Sequence, residues 1–289
     1  MNAFANRRWL AVLMLIAAIV GLLTVWREFD VFIPRMPYLT GWVLLLLMLF
    51  LTLYNGRKKL PFLPAIRSET WLQVHIYVGL FTAALFAVHL GMRMPTGWFE
   101  CTLAWLYVLV MLSGIGGLFI SRIFPKRLTT RGGEVLFESI PAVRRALAEQ
   151  AESLALKALP AAKSATITEF YVAHLQHWFA APRNTLAHLF EISSPLNKLL
   201  HRIGELDRFL NDEERKLMFG EEVEAGEEPK QHIPGIADLV RQKDALDYHY
   251  SLQLTLKLWL FVHIPLTYSL LVFSLVHVVL VFAFMGGTS

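Results

Sequence analysis

The chain has 289 residues, 55% of them hydrophobic and 17% charged, with a formal net charge of +4 and a mean hydropathy of +0.48. That balance suits an integral membrane protein better than an average soluble domain, and the cations sit beside apolar runs, as a topology signal does, instead of forming a nucleic-acid-binding surface. The single cysteine, Cys101, excludes a disulfide framework, a CxxC redox pair and an all-cysteine iron–sulfur cluster within the chain.

Residues 1–8 are short and polar and end in Arg7 and Arg8; Trp9 to Trp26 is apolar. No small-residue cleavage site follows, because Arg27, Glu28, Phe29 and Asp30 come next, so a retained first transmembrane helix is expected. A second span covers Gly41 to Tyr54, beginning near Tyr38, and is followed by Arg57, Lys58, Lys59 and Arg67. The third runs from Trp71 to Met92. A short turn with Pro95 and Gly97 leads to a fourth, Cys101 to Ile120, followed by Arg122, Lys126, Arg127 and Arg131. The fifth, Leu252 to Phe284, is long enough to cross a bilayer as a helix. Basic clusters lie before span one, between spans two and three, and after span four. The positive-inside rule then puts the amino terminus in the cytoplasm and the carboxyl terminus outside.

Between spans four and five lies a polar insert, residues 122–251, with 17 Lys and Arg against 19 Asp and Glu. It reads as helical and cytoplasmic. Helices are expected over Val135 to Leu159 and Leu196 to Leu210, with capping-box starts at Thr166/Glu169 and Asn211/Glu214. The acidic stretch Gly220 to Gly235 reads as a loop. Helix resumes near Ile236 and is expected to run into span five. The fold class is thus an all-α integral membrane protein: a five-helix bundle over 1–121 and 252–289, with a helical insert.

Span three carries His75 and His89, and span five His263 and His277; both pairs are fourteen residues apart. Fourteen residues of helix rise about 21 Å and return to nearly the same face. Both spans run from inside to outside, so His75 lies level with His263 and His89 with His277. An imidazole inside hydrocarbon is costly and marks a functional site. Haem iron accepts two neutral imidazoles axially while the porphyrin fills an apolar gap between helices, which gives two stacked bis-histidine haem b sites. Two imidazoles alone leave a zinc or copper site short of ligands. Gly79, one turn after His75, gives a flat macrocycle close access to the backbone, and Gly114, Gly116 and Gly117 let span four pack beside the pair. Arg93, four residues after His89, is a candidate partner for the outer propionates; Arg67, Lys257 and Arg57 to Lys59 are candidates at the inner edge.

Two helices bearing His-x13-His as parallel partners resemble the dihaem core of the cytochrome b and b6 family. Only His75, His89, His263 and His277 carry over, as axial ligands; the PEWY-type quinol motif is absent and an insert separates spans four and five. The placement of ligands on spans three and five is also similar to the transmembrane ferric reductase and NADPH oxidase superfamily, which appends a flavin and nicotinamide domain after its last span. The segment SGIGGLFISRIFPKRLT, Ser113 to Thr129, resembles bacterial membrane cytochromes. These resemblances imply electron transfer between the faces of a bacterial inner membrane and exchange with a quinone or quinol. The partner on the cytoplasmic side would be an iron–sulfur protein or flavoprotein, and an external c-type cytochrome fits the other side.

Other residues carry weaker signals. Asp247 and His249, before span five, sit where they would pass protons to a quinone. His174, His177, His188 and His201 in the insert suit ordinary helical-domain positions better than a metal site. Pro265, two residues after His263, is expected to kink the last span. The competing reading is a membrane signalling or scaffold protein with a helical cytoplasmic domain and no cofactor; a ferric reductase membrane subunit is a third.

Overall fold

The computed structural model describes residues 3–29, 36–56, 68–130, 135–161, 166–192, 195–223 and 231–285. Helices dominate, and five are long and apolar enough to cross a membrane: α1 (Ala3–Phe29), α2 (Met36–Gly56), α3 (Ser68–His89), α4 (Trp98–Thr130) and α11 (Ile236–Met285). No more than 28% of any of the five apolar segments is buried within the protein. Trp9, Leu13, Leu46, Trp105, Phe119, Phe261 and Val279 are each more than half exposed. Apolar faces of that extent call for lipid as their solvent. Helices satisfy their own backbone hydrogen bonds, which is why they tolerate it.

The chain divides into two compact units, residues 1–119 with 259–289, and residues 120–258. In the first, α2 and α1 both pack on α3. Its buried core is Leu44, Met48, Leu85, Tyr107 and Leu270. Tyr107 stacks on Phe86 with ring centroids 3.9 Å apart and donates its hydroxyl to Thr82 at 3.0 Å.

α3 ends at His89, three residues short of the expected Met92. Gly91 at φ +61° and Met92 at φ +56° turn the chain left-handed, and their N–H groups reach back to the Val88 and Ala87 carbonyls at 2.9 and 3.0 Å. This is the crossed closure of a Schellman motif. Arg93 therefore lies beyond the helix that carries His89: it is an exposed turn residue, its N–H bonded to Leu90 O at 3.3 Å.

The second unit holds α5 (Ile140–Ala161), α6 (Thr166–Phe170), a π turn (Tyr171–Leu175), α7 (Gln176–Ala180), α8 (Thr185–Phe190), α9 (Pro195–Leu206) and α10 (Asp212–Phe219), with the start of α11. One stripe of α5, Ile140, Leu147, Ala151, Ala155 and Ala158, is buried with Leu175, Phe179, Ile203, Met218, Leu239 and Val240. The Asn211 capping box is present in both directions: Glu214 N–H to Asn211 Oδ1 at 2.8 Å, and Asn211 N–H to Glu214 Oε2 at 2.9 Å.

The expected loop over Gly220 to Gly235 contains a small hairpin instead. β1 (Glu221–Val223) pairs antiparallel with β2 (Gln231–Ile233), Glu221 opposite Ile233. Each strand is too short to show alternation in the sequence, and Gly220 at φ +88° makes the exit from α10. α4 also continues past the expected Ile120 to Thr130, through Pro125. α11 runs unbroken for 50 residues, about 75 Å at helical rise and more than twice a bilayer's hydrocarbon core. Its first part, with Asp238, Arg241, Lys243, Asp244 and Asp247, is polar, and its apolar part begins at Leu252. Pro265 lies inside it without ending it.

Candidate haem sites

His75 lies within electrostatic reach of His263, and His89 within reach of His277. That pairing sets α3 and α11 parallel and puts the four imidazoles at two levels. His89 and His277 both line a cavity of about 400 Å³ with Tyr38, Trp42, Leu45, Met48, Leu103 and Phe282 among its walls. Volume and apolar lining fall in the range of cofactor pockets.

His89 is held from α2. Its Nδ1 is 3.1 Å from the Pro37 carbonyl and 3.2 Å from Thr40 Oγ1. A carbonyl oxygen only accepts, so the proton sits on Nδ1 and the Nε2 lone pair is left for a ligand. His75 has its own backbone hydrogen bond, to Leu51 of α2. Pro37 and Leu51 are fourteen residues apart, the histidine spacing repeated on an antiparallel helix. On α11, His263 Nδ1 meets Ser113 Oγ of α4 at 3.2 Å, and its ring stacks on Trp259 at 5.4 Å. Trp259 in turn donates its indole N–H to Ser113 O at 2.8 Å. His277 stacks on Phe99 at 6.4 Å.

The core lies midway between the levels. Leu44, Thr82 and Leu270, all buried, each fall seven residues from the two partners on their helix, Pro37 and Leu51, His75 and His89, His263 and His277. Tyr107 and Thr82 therefore occupy the space between the two histidine pairs.

No family model, curated protein or solved structure matches the chain.

The glycines divide by task. A Cβ on Gly41 would lie 2.9 Å from His89 Cε1, and one on Gly114 3.6 Å from His263 Cε1. Gly117 accepts the Trp259 ring, which a Cβ would strike. Beside Gly79 and Gly116 the space is open. Sequence reasoning missed Pro37, Thr40, Gly41, Leu51, Ser113 and Trp259. Thr40 and Ser113, hydroxyls inside apolar spans, were the available signal. A backbone acceptor such as the Leu51 carbonyl has no side-chain signature at all.

The remaining candidates lie elsewhere. Arg57, Lys58, Lys59 and Arg67 fall outside the described residues. Lys257 bonds Glu138 at 2.7 Å and lies 3.9 Å from the centroid of the Phe137 ring. His174 and His177 are exposed on one helical segment, while His188 is buried 3.6 Å from Asp244 and His201 is exposed beside Glu205. Among the described residues no group of three or more His, Cys, Asp or Glu side chains comes together as a metal site. A bis-imidazole haem site needs only two.

Asp247, expected as a proton donor, is fixed inside the second unit. It pairs with Lys243, accepts the Arg183 N–H at 2.9 Å, and has Arg144 Nε at 3.9 Å. Lys243 also donates to Ala181 O at 2.9 Å and lies 5.0 Å from the centroid of the Trp178 ring. Burial pushes the Lys243 ammonium down and the Asp247 carboxyl up, while their contact opposes both shifts. Arg127, read from sequence as a topology cation, binds the His188 and Leu189 carbonyls at the end of α8 at 2.8 and 2.9 Å. A cation capping the last carbonyls of a helix is favourable in charge and hydrogen bonding.

Proposed function

We propose that the chain is a dihaem b-type membrane cytochrome that carries electrons between the two faces of the membrane, as the membrane subunit of a quinone-linked oxidoreductase. The observation that carries this reading is the geometry at His89: its Nδ1 is engaged by Pro37, and it shares an apolar cavity with His277. The residues present fit the group. Each imidazole at this level lines the cavity, and the walls offer hydrocarbon and aromatic surface to a porphyrin. His75 with His263 would hold a second haem at the other level. Haem bound there supplies one-electron transfer. The chain's own part is to fix ring orientation, exclude water with Leu45, Met48 and Phe86, and keep the two levels apart with Leu44, Leu85 and Leu270.

The partners implied are lipid, a quinone or quinol, and another electron-transfer protein on at least one side. The test is a reduced-minus-oxidised spectrum with a pyridine haemochrome count on purified protein. About two haems per chain and b-type bands are expected. His89→Ala removes one axial ligand and is expected to leave about one haem per chain. A colourless protein produced with ample haem would sink the reading and favour the cofactor-free scaffold.

A further inference from the structure

We infer that α2 sets the electronic character of His89, with Thr40 as a positioning residue that tunes the redox equilibrium of one of the two haems. This rests on the haem reading above. α2 carries no histidine, cysteine or carboxylate, yet it touches α3 at the ring edge that a ligating histidine must keep away from the metal. Nδ1 has two acceptors, Pro37 O at 3.1 Å and Thr40 Oγ1 at 3.2 Å. The Thr40 hydroxyl is itself oriented, with the Met36 carbonyl at 3.0 Å and the Pro37 carbonyl at 3.1 Å. Its single hydrogen goes to a carbonyl, so its lone pairs face Nδ1–H. Thr40 is 7% exposed, which keeps water from replacing it.

The chemical effect follows from charge. Acceptors on Nδ1–H draw its proton away and make Nε2 a stronger donor, which favours the more positively charged, oxidised metal. Gly41 supplies the room for this contact. A Cβ there would lie 2.9 Å from His89 Cε1, so only glycine lets the imidazole come this close to α2. Pro37 and Thr40 thus hold one imidazole by its Nδ1 proton, and Gly41 admits the ring to them. The same helix meets His75 at Leu51, one fourteen-residue step away, so changes at Thr40 are local to the His89 level.

The experiment is a potentiometric titration of the purified two-haem protein, followed in the visible spectrum, for wild type, Thr40→Val and Thr40→Ser. Valine keeps the shape of threonine and removes the hydroxyl. Thr40→Val is expected to retain both haems and to shift the equilibrium of one toward the reduced form by about threefold to tenfold, the scale of one hydrogen bond. The other haem stays where it was, and Thr40→Ser restores the wild-type value. Two haems with both equilibria unmoved in Thr40→Val, or both moved alike, would overturn this inference and leave the cytochrome reading intact. Wild-type protein without haem would overturn both. Histidine nitrogen NMR supplies a readout that does not depend on redox chemistry: His89 is expected to carry its proton on Nδ1, and a proton found on Nε2 would also reject the inference.

Discussion

At the scale of single residues, Lys243 and Asp247 form an ion pair buried inside the second unit. Lys243 is 0% exposed and Asp247 1%, and each has further partners in Ala181 O, the Arg183 N–H and the Trp178 ring. Removing one member of such a pair leaves an unpaired charge in a dry site. Asp247→Ala is therefore expected to destabilise the second unit by about 3–5 kcal/mol, whereas the double change Lys243→Met with Asp247→Leu recovers most of that. Thermal unfolding monitored by hydrogen exchange over α7 and the first turns of α11 checks this; equal losses in the single and double variants would contradict it. The pair was legible in the sequence only as charges four apart on a helix. Its burial was not, because oppositely charged residues at this spacing occur equally on solvated helix faces.

At the scale of elements, the contact between α4 and α11 depends on a small-residue surface that the sequence displays as Gly114, Gly116 and Gly117. The three are not equivalent. Gly117 receives the Trp259 ring, while nothing lies within 4 Å of a Cβ on Gly116. Gly117→Ala is expected to cost about 1–3 kcal/mol through overpacking, and Gly116→Ala to be neutral or stabilising by up to about 1 kcal/mol. Unfolding of the two variants in detergent separates them, and the reverse ranking would reject the packing described. Helix ends were less legible than helix interiors. The close of α3 was written in Gly91, a glycine just past the last periodic residue, but the apolar run Leu90 to Met92 hid it. β1 and β2 escaped because three-residue strands give no period to read.

At the scale of the whole molecule, the membrane character and the equal histidine spacings were legible because they depend on composition and on helical rise alone. The partners of those histidines were less so, since Pro37 and Leu51 act through backbone groups that leave no side-chain mark in the sequence. The expected topology makes a direct prediction. A reporter that is active only outside the cytoplasm should work when fused after Phe284 and fail when inserted in the turn at Gly235; the opposite pattern would invert the assignment of faces. Arg127 tempers that assignment, because one of its cations also caps α8.

The matched spacing of Pro37 and Leu51 has a consequence for how this chain can change by descent. Gaining or losing a single residue anywhere between them turns the rest of α2 by about 100°. Whichever end kept its register, the other would present a different carbonyl to its histidine. Point substitutions on the lipid face of α2 should therefore be freely exchanged among descendants of this chain, while its length between these two residues should stay constant.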